Sequence, residues 1–190
     1  MTDAAQRAAV QYPGGFRGLY RWAGSGQGPT VFALSEAGGP LIDHGDRVGP
    51  GFERLCRAEL RIEGPAGAWT ARFASPIFDE PGGLFWDTPG LLVVTYGFLT
   101  YGFVARTGEL RWTHRSATPL LAAFGSSRLD HVVIQSELET FAIDEVGAVR
   151  WRVAHSDVVA EAELVGGRLV LRSYGGLLTS LDPATGRPAG

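Results

Sequence analysis

Residues 108–112 read Gly-Glu-Leu-Arg-Trp, and residues 147–151 read Gly-Ala-Val-Arg-Trp. These two stretches are 39 residues apart, and Gly186 follows after another 39 residues. A glycine and a tryptophan that return at one fixed interval indicate a repeated supersecondary unit. The chain is therefore expected to consist of successive, similar units rather than one irregular domain.

Short runs rich in β-branched and aromatic residues, separated by tight turns, fill the intervals between these glycines. The pattern predicts antiparallel meanders of four strands each. In the clearest unit the predicted strands are Leu120–Phe124, 131–135, Glu139–Asp144 and 149–153. In the following unit they are residues 158–164, Arg168–Ser173 and 177–182. In the preceding unit they are Leu91–Tyr96, 100–105 and 110–114, with residues 84–86 as the candidate first strand.

The N-terminal third carries a weaker form of the same pattern. Its predicted strands are residues 18–22, 30–34, 57–63 and 69–73, although residues 52–60 also fit one face of a helix. The first dozen residues are expected to form a short helix or to fray. We predict one all-β domain over residues 1–190, with clear repeats in 84–190 and eroded repeats in about 14–75.

The repeats resemble the blades of quinoprotein-type (PQQ-like) β-propellers, which carry the motif Ala-x-Asp-x-x-Thr-Gly-x-x-x-Trp. Residues 180–186, Ser-Leu-Asp-Pro-Ala-Thr-Gly, match it with Ser in place of Ala. Residues 102–112 keep Thr107, Gly108 and Trp112, and residues 142–151 keep Asp144 and Trp151. The Trp-Asp strand ending of WD-type propellers is absent. The resemblance implies stacked four-stranded antiparallel blades in a small or partial β-propeller.

What the motif does follows from its residue types. Asp and Thr accept hydrogen bonds from the backbone N–H groups of a tight turn. Glycine provides a positive φ. Tryptophan buries a large flat area between neighbouring sheets. The motif is therefore expected to join one blade to the next.

Composition narrows the classes of function. The formal net charge is −3, and all 17 basic residues are arginines scattered along the chain, so a nucleic-acid surface is not expected. Cys56 is the single cysteine, which rules out an intrachain disulfide. The N-terminus lacks the features of a signal peptide, and no apolar run approaches the roughly 18 residues of a membrane span. These features favour a cytoplasmic protein that is a monomer or a homodimer.

Several short constellations contain chemically active residue types. Asp43-His44-Gly45-Asp46 holds two carboxylates and an imidazole, but no further ligand has metal-site spacing, so a polar turn is the favoured interpretation. His155-Ser156-Asp157 contains the three residue types of a hydrolase triad, yet such triads assemble from distant positions. We therefore assign no catalytic, cofactor-binding or metal-binding residue.

Phe78, Phe85 and Trp86 lie in a stretch rich in proline, glycine and acidic residues. Exposed aromatic side chains bordered by acids are typical of a partner-binding surface, and burial in the eroded blade is the alternative. The resemblance implies a non-enzymatic binding scaffold for a protein partner. The other class of function is a small hydrolase or lyase that acts on a small ligand or sugar at the propeller axis.

The last unit has three predicted strands, which would leave an open sheet edge. Residues 14–23 alternate polar and apolar side chains and are the predicted strand that pairs with this edge and closes the ring. A second copy in a dimer, or a short open array, is the alternative.

The purified protein is expected to hold neither a quinone nor a tightly bound metal. The resemblance does not extend to the vicinal disulfide that some quinone enzymes place over the cofactor, and the chain shows no spaced set of metal ligands. Elemental analysis and an absorption spectrum test this expectation. A stoichiometric metal or a quinone band would contradict it.

Overall fold

The structure is a computed structural model that describes residues 5–25, 31, 39–51 and 55–190. Within these residues the regular elements are sixteen β-strands and two short 3₁₀ turns. No α-helix in the described part of the chain is long and apolar enough to span a membrane. By its internal contacts the chain divides into two compact units, Met1–Pro81 with Phe103–Leu110, and Gly82–Gly102 with Arg111–Gly190. The all-β class predicted from the sequence is confirmed.

The first sheet has five strands in the order β1-β2-β4-β5-β3, with β3 parallel to β5 and the other pairs antiparallel. These strands are β1 (Gln6–Tyr12), β2 (Phe16–Ala23), β3 (Leu41–Asp43), β4 (Cys56–Gly64) and β5 (Gly67–Ser75).

Three further sheets follow in chain order. The second sheet consists of β6 (Gly82–Trp86), β7 (Leu91–Tyr96), β8 (Leu99–Val104) and β9 (Leu110–Arg115). The third consists of β10 (Leu120–Phe124), β11 (His131–Ser136), β12 (Glu139–Asp144) and β13 (Val149–Ala154). The fourth has β14 (Val159–Val165), β15 (Arg168–Ser173) and β16 (Leu178–Leu181). Each is a meander in which consecutive strands are neighbours.

Alternation along the strands separates the first sheet into two chemically different faces. Tyr20 of β2 and Leu60 of β4 are register partners, and both are fully buried on the apolar face. The next register pair, Arg21 and Glu59, points to the opposite face and forms an ion pair at 3.5 Å. The burial of aromatic and aliphatic side chains on one face stabilises the sheet and leaves a row of charges on the other.

Tryptophan–glycine contacts recur at the repeated positions. In the second unit, Trp112 of β9 packs on Gly147, where an added Cβ would lie 2.5 Å from the Trp112 Cβ. Trp151 of β13 packs on Gly186, where an added Cβ would collide with the six-membered ring of the indole. All three repeat glycines have positive φ, with values of 75° at Gly108, 88° at Gly147 and 70° at Gly186. A larger residue there would be strained and would also collide with the indole ring. The docking role predicted for Trp112 and Trp151 is confirmed.

Trp69 makes the same contact within the first unit, a role that the sequence patterns did not predict. Its ring covers Gly108, where an added Cβ would lie 2.6 Å away, and its Nε1 donates a hydrogen bond of 2.8 Å to the carbonyl of Ala105. Trp69 follows a tight hairpin, Gly64–Gly67, so the four-residue separation between the turn glycine and the tryptophan is lost.

The repeat turns are held by their own side chains, as predicted. The Asp182 carboxylate accepts hydrogen bonds from the N–H of Ala184 at 2.9 Å and the hydroxyl of Thr185 at 3.0 Å. Asp144 accepts from the N–H groups of Val146 and Ala148 at 3.1 and 2.8 Å. Each carboxylate thereby presents the following glycine to a tryptophan ring.

Two expectations for the N-terminus are wrong. Residues 6–12 form the strand β1, not a helix or a frayed end, and a turn with positive φ at Gly14 and Gly15 joins β1 to β2. The segment 14–23 does not pair with the last sheet, because β2 is hydrogen-bonded on one side to β1 and on the other to β4. The predicted strand at residues 30–34 lies outside the described residues.

We predict that Trp112→Ala and Trp151→Ala each lower the free energy of unfolding by about 3–5 kcal/mol, because each removes a large aromatic ring from a packed contact. Denaturant melts measure the change. Val165→Ala serves as a control in the same unit, since Val165 is exposed. Losses below about 1 kcal/mol at both tryptophans would show that these contacts do not stabilise the fold.

Candidate binding surfaces

The fourth sheet has an incompletely paired edge. The outer side of β16 pairs with residues 188–189 through the Leu181–Pro188 bridge and a hydrogen bond of 2.9 Å from the Ala189 N–H to the Ser180 carbonyl. Within the described residues no strand pairs with this side at Leu178. Residues 188–189 thus cover one end of this side of β16, and a stretch of strand edge without a partner can accept another extended chain.

Apolar side chains surround that open edge. Tyr174, Leu177 and Leu178 have exposed fractions of 78%, 62% and 62%. They lie at or beside the turn between β15 and β16, so three large side chains face solvent within five residues of chain. Single exposed apolar residues are common, whereas a contiguous group beside an open edge is typical of a contact surface.

A cavity of about 250 Å³ lies next to the same edge. Leu171, Leu177 and Leu181 of the fourth sheet contribute apolar wall, and Val153 of β13 lines it from the third sheet. His155, Ser156, Asp157 and Ser173 add polar groups. The cavity therefore brings together the three adjacent residues that resemble a hydrolase triad in composition.

Asp157 is occupied in holding the loop beside this cavity. Its carboxylate accepts hydrogen bonds from the N–H groups of Val158 at 2.8 Å and Gly175 at 2.9 Å. The pKa of Asp157 is lowered mainly by a hydrogen bond from Ser173 and to a smaller extent by the hydrogen bond from the Gly175 N–H. A carboxylate with these partners fixes backbone turns, which favours the structural interpretation of residues 155–157.

His155 is held by a buried polar chain. The Thr140 hydroxyl donates to Gln135 Oε1 at 2.5 Å, and His155 Nε2 lies 2.7 Å from the same hydroxyl oxygen. Because the hydroxyl has only one hydrogen, Nε2 must be the donor to Thr140. Burial lowers the pKa of His155, so the fold favours the neutral ring with its proton on Nε2.

A second histidine, His114 of β9, contacts residues of β12 and β13. The His114 ring is 4.7 Å from the ring of Phe141, and Arg152 Nη2 lies 3.4 Å from His114 Nε2. Arg152 also pairs with Glu139 at 3.2 Å. Burial, and then the nearby Arg152 charge, lowers the pKa of His114. This group joins strands of the second and third sheets within one unit.

His131 connects the third sheet to the last repeat turn. Its Nδ1 lies 2.9 Å from the Asp130 carboxylate and its Nε2 lies 2.8 Å from the carbonyl oxygen of Pro183. Through these two contacts His131 links the start of β11 to the turn that contains Pro183. Hydrogen bonding to His131 lowers the pKa of Asp130.

The cluster at residues 43–46 is a turn packed against the core. Asp43 accepts from the Gly45 N–H at 2.8 Å and pairs with Arg57 at 2.9 Å. The His44 ring is buried and lies 6.2 Å from the ring of Phe73. Within the described residues no three His, Cys, Asp or Glu side chains gather as metal ligands.

The three aromatic residues predicted to bind a partner differ in exposure. Phe78 is exposed, Phe85 is half-buried, and Trp86 is buried with an exposed fraction of 6%. Phe85 and Trp86 belong to β6, the first strand of its sheet, as the sequence predicted for residues 84–86. Of the three, Phe78 alone is exposed, with an exposed fraction of 56%. The sequence does not reveal the exposed residues beside β16, because residues 177–182 have the composition of a strand.

The second and third sheets are four-stranded meanders joined by a tryptophan–glycine contact, as in the blades of a β-propeller, and the repeats over residues 99–189 match the PQQ-like type. A sequence model described as outer membrane protein assembly factor BamB matches residues 99–189. No curated protein is similar in sequence.

The similarity to one solved structure supports the same fold class. The crystal structure of BamB from Moraxella catarrhalis is 18% identical, covers 100% of this chain and superposes with a TM-score of 0.55. The chain spans 50% of the length of that structure. The WD40 domain of Pan2 from Neurospora crassa is 19% identical over 78% of this chain and 47% of its own, with a TM-score of 0.48. The computationally designed Ika4 protein is 12% identical over 67% of this chain and 84% of its own, with a TM-score of 0.48.

We predict that acid destabilises the third and fourth sheets partly through His155. Because its pKa is lowered in the fold, His155 contributes full stability above its unfolded pKa of about 6.5 and loses that contribution as the pH falls. The free energy of unfolding should therefore decline between pH 7.5 and 5.5, and less steeply in His155→Gln. Asp157 adds its own loss only near and below about pH 4.

Denaturant melts at both pH values measure this effect. His114→Gln is the matched comparison, since burial lowers the pKa of His114 as well. An unchanged pH slope in both variants would contradict the assignment.

Proposed function

We propose that the protein is a non-enzymatic, cytoplasmic scaffold that binds a protein partner, and that an extended segment of the partner pairs with the open edge of β16. The observation that carries this proposal is the side of β16 at Leu178, with which no described strand pairs, beside the exposed side chains of Tyr174 and Leu177. Backbone N–H and C=O groups of an edge strand are matched by another β-strand, which gives affinity without a preformed pocket for a whole ligand.

The neighbouring cavity would allow this edge to select among partner segments by their side chains. A strand paired with β16 places alternate side chains toward the face that carries Leu177, Thr179 and Leu181. The cavity of about 250 Å³ on that face has room for a medium-sized apolar side chain. We therefore expect a partner segment with an aliphatic residue at the position facing the cavity.

A comparison of the third and fourth sheets supports pairing of a partner segment with β16. In the third sheet the fourth strand, β13, pairs along β12 from Glu139–Ala154 to Ile143–Val149. Its Arg152 covers the ring of Phe141 at 5.5 Å. In the fourth sheet, residues 188–189 pair only with the Ser180–Leu181 end of β16, and a partner segment at Leu178 would extend the pairing along the strand.

Phe78, Phe85 and Trp86 are retained as a further partner-binding prediction, with Phe78 as the residue exposed for contact. The polar groups beside the cavity do not favour the hydrolase alternative, since Asp157 and His155 are bonded to backbone and Thr140.

We predict that Leu178→Lys weakens capture of the partner at least tenfold while the fold is unchanged, because Leu178 is exposed and a charged edge residue opposes strand pairing. Val146→Lys is the control, since Val146 is also exposed but lies in the turn after β12. Cross-linked capture from cell extract, quantified for the three proteins, gives the affinity change.

Hydrogen exchange on the captured complex tests the mode of binding. Slower exchange of the Leu178 and Ser180 amides supports strand pairing. Equal capture by wild type and Leu178→Lys, with no protection in β16, would refute the proposal.

A further inference from the structure

A groove of about 430 Å³ crosses the charged face of the first sheet, remote in sequence from β16. Its lining includes Arg7 of β1, Arg21 of β2 and Arg61 of β4, and one carboxylate, Glu59. Arg61 is paired at 3.3 Å with Glu63, which lies outside the lining. This local excess of positive charge contrasts with the net charge of −3 for the whole chain. A groove of this volume is within the usual size range of small-molecule sites.

The register places two of these arginines side by side. Arg7 and Arg21 are direct partners in the antiparallel β1–β2 pair. Like charges directly opposite one another destabilise a strand pair. An anion bound between the two guanidinium groups would convert this repulsion into two favourable contacts, because guanidinium binds carboxylate through paired N–H donors.

The one carboxylate in the groove is already compensated. Glu59 is 4% exposed and lies between Arg21 at 3.5 Å and Arg72 at 3.0 Å. Two guanidinium groups thus share a single buried negative charge, and Arg7 forms no ion pair with any described residue. Glu59 orients Arg21 without cancelling the positive charge of the row.

The floor of the groove is apolar next to the arginine pair. Ala9 and Leu19 are register partners one step along β1 and β2 on the same face, and both line the groove. A ligand that fits has a negatively charged end at Arg7 and Arg21 and an apolar body over Ala9 and Leu19. We propose that this groove binds a small organic carboxylate with an apolar body.

Isothermal titration calorimetry with phenylbutyrate tests the site, with the neutral phenylbutanamide as the matched ligand. We expect phenylbutyrate to bind at least tenfold more tightly than the amide, because a charge-assisted contact is lost in the amide. Raising the salt concentration should weaken the binding of phenylbutyrate and leave the binding of the amide nearly unchanged. Equal affinities for the two ligands, or no heat of binding at millimolar concentration, would overturn the proposal.

Three arginine variants locate the site. Arg7→Gln and Arg21→Gln are each expected to weaken the binding of phenylbutyrate about tenfold. Arg17→Gln is the control and should not weaken it, since Arg17 lies on the same face outside the groove. Denaturant melts verify that Arg21→Gln is folded. We expect it to be folded because Glu59 keeps its ion pair with Arg72. Equal affinity in all three variants would place binding elsewhere.

An acidic protein segment is the competing occupant. A blocked hexaglutamate peptide is titrated in parallel, and weaker binding of this peptide than of phenylbutyrate supports a small molecule. Tighter peptide binding that is lost in Arg7→Gln would assign the groove to a protein instead. Because β16 takes no part in the site, Leu178→Lys leaves these results unchanged whatever the outcome for the partner.

Discussion

The fold depends on contacts in which a tryptophan ring lies directly on a glycine. The ring needs a flat backbone surface, and the turn needs a residue that tolerates positive φ, so only glycine meets both demands at Gly108, Gly147 and Gly186. An aspartate or threonine then fixes the turn by accepting its N–H groups. These local requirements explain why the glycine and tryptophan return at one interval while most other positions vary.

The same requirement explains how much of the fold the sequence predicts. β7, β10, β12 and β15 begin and end at the predicted residues, because glycine turns and regular alternation delimit them. Trp69 escaped prediction because a two-residue hairpin replaces the longer turn before it. The strand β1 is not predicted because Ala8 and Ala9 lie on opposite faces of the strand. Two small residues in succession hide the alternation of polar and apolar side chains.

The candidate surfaces were harder to predict, since each depends on register or pairing. Arg7 and Arg21 are fourteen positions apart in the sequence, and only the β1–β2 hairpin makes them neighbours. Leu177 and Leu178 read as ordinary strand residues, and their exposure depends on which strands pair around β16, which the sequence pattern does not specify. By contrast, the predicted polar turn at residues 43–46 needed only local hydrogen bonds, and it was anticipated from composition.

Strand alternation also separates stability from recognition in the first sheet. Tyr20 and Leu60 are buried on one face, while their neighbours Arg21 and Arg61 line the groove on the other. A substitution at a buried position removes packing that stabilises the fold, whereas one at a groove arginine mainly changes the charge presented to a ligand. Because the two sets alternate along the same strands, the groove can change its ligand chemistry while the core and the tryptophan contacts stay intact.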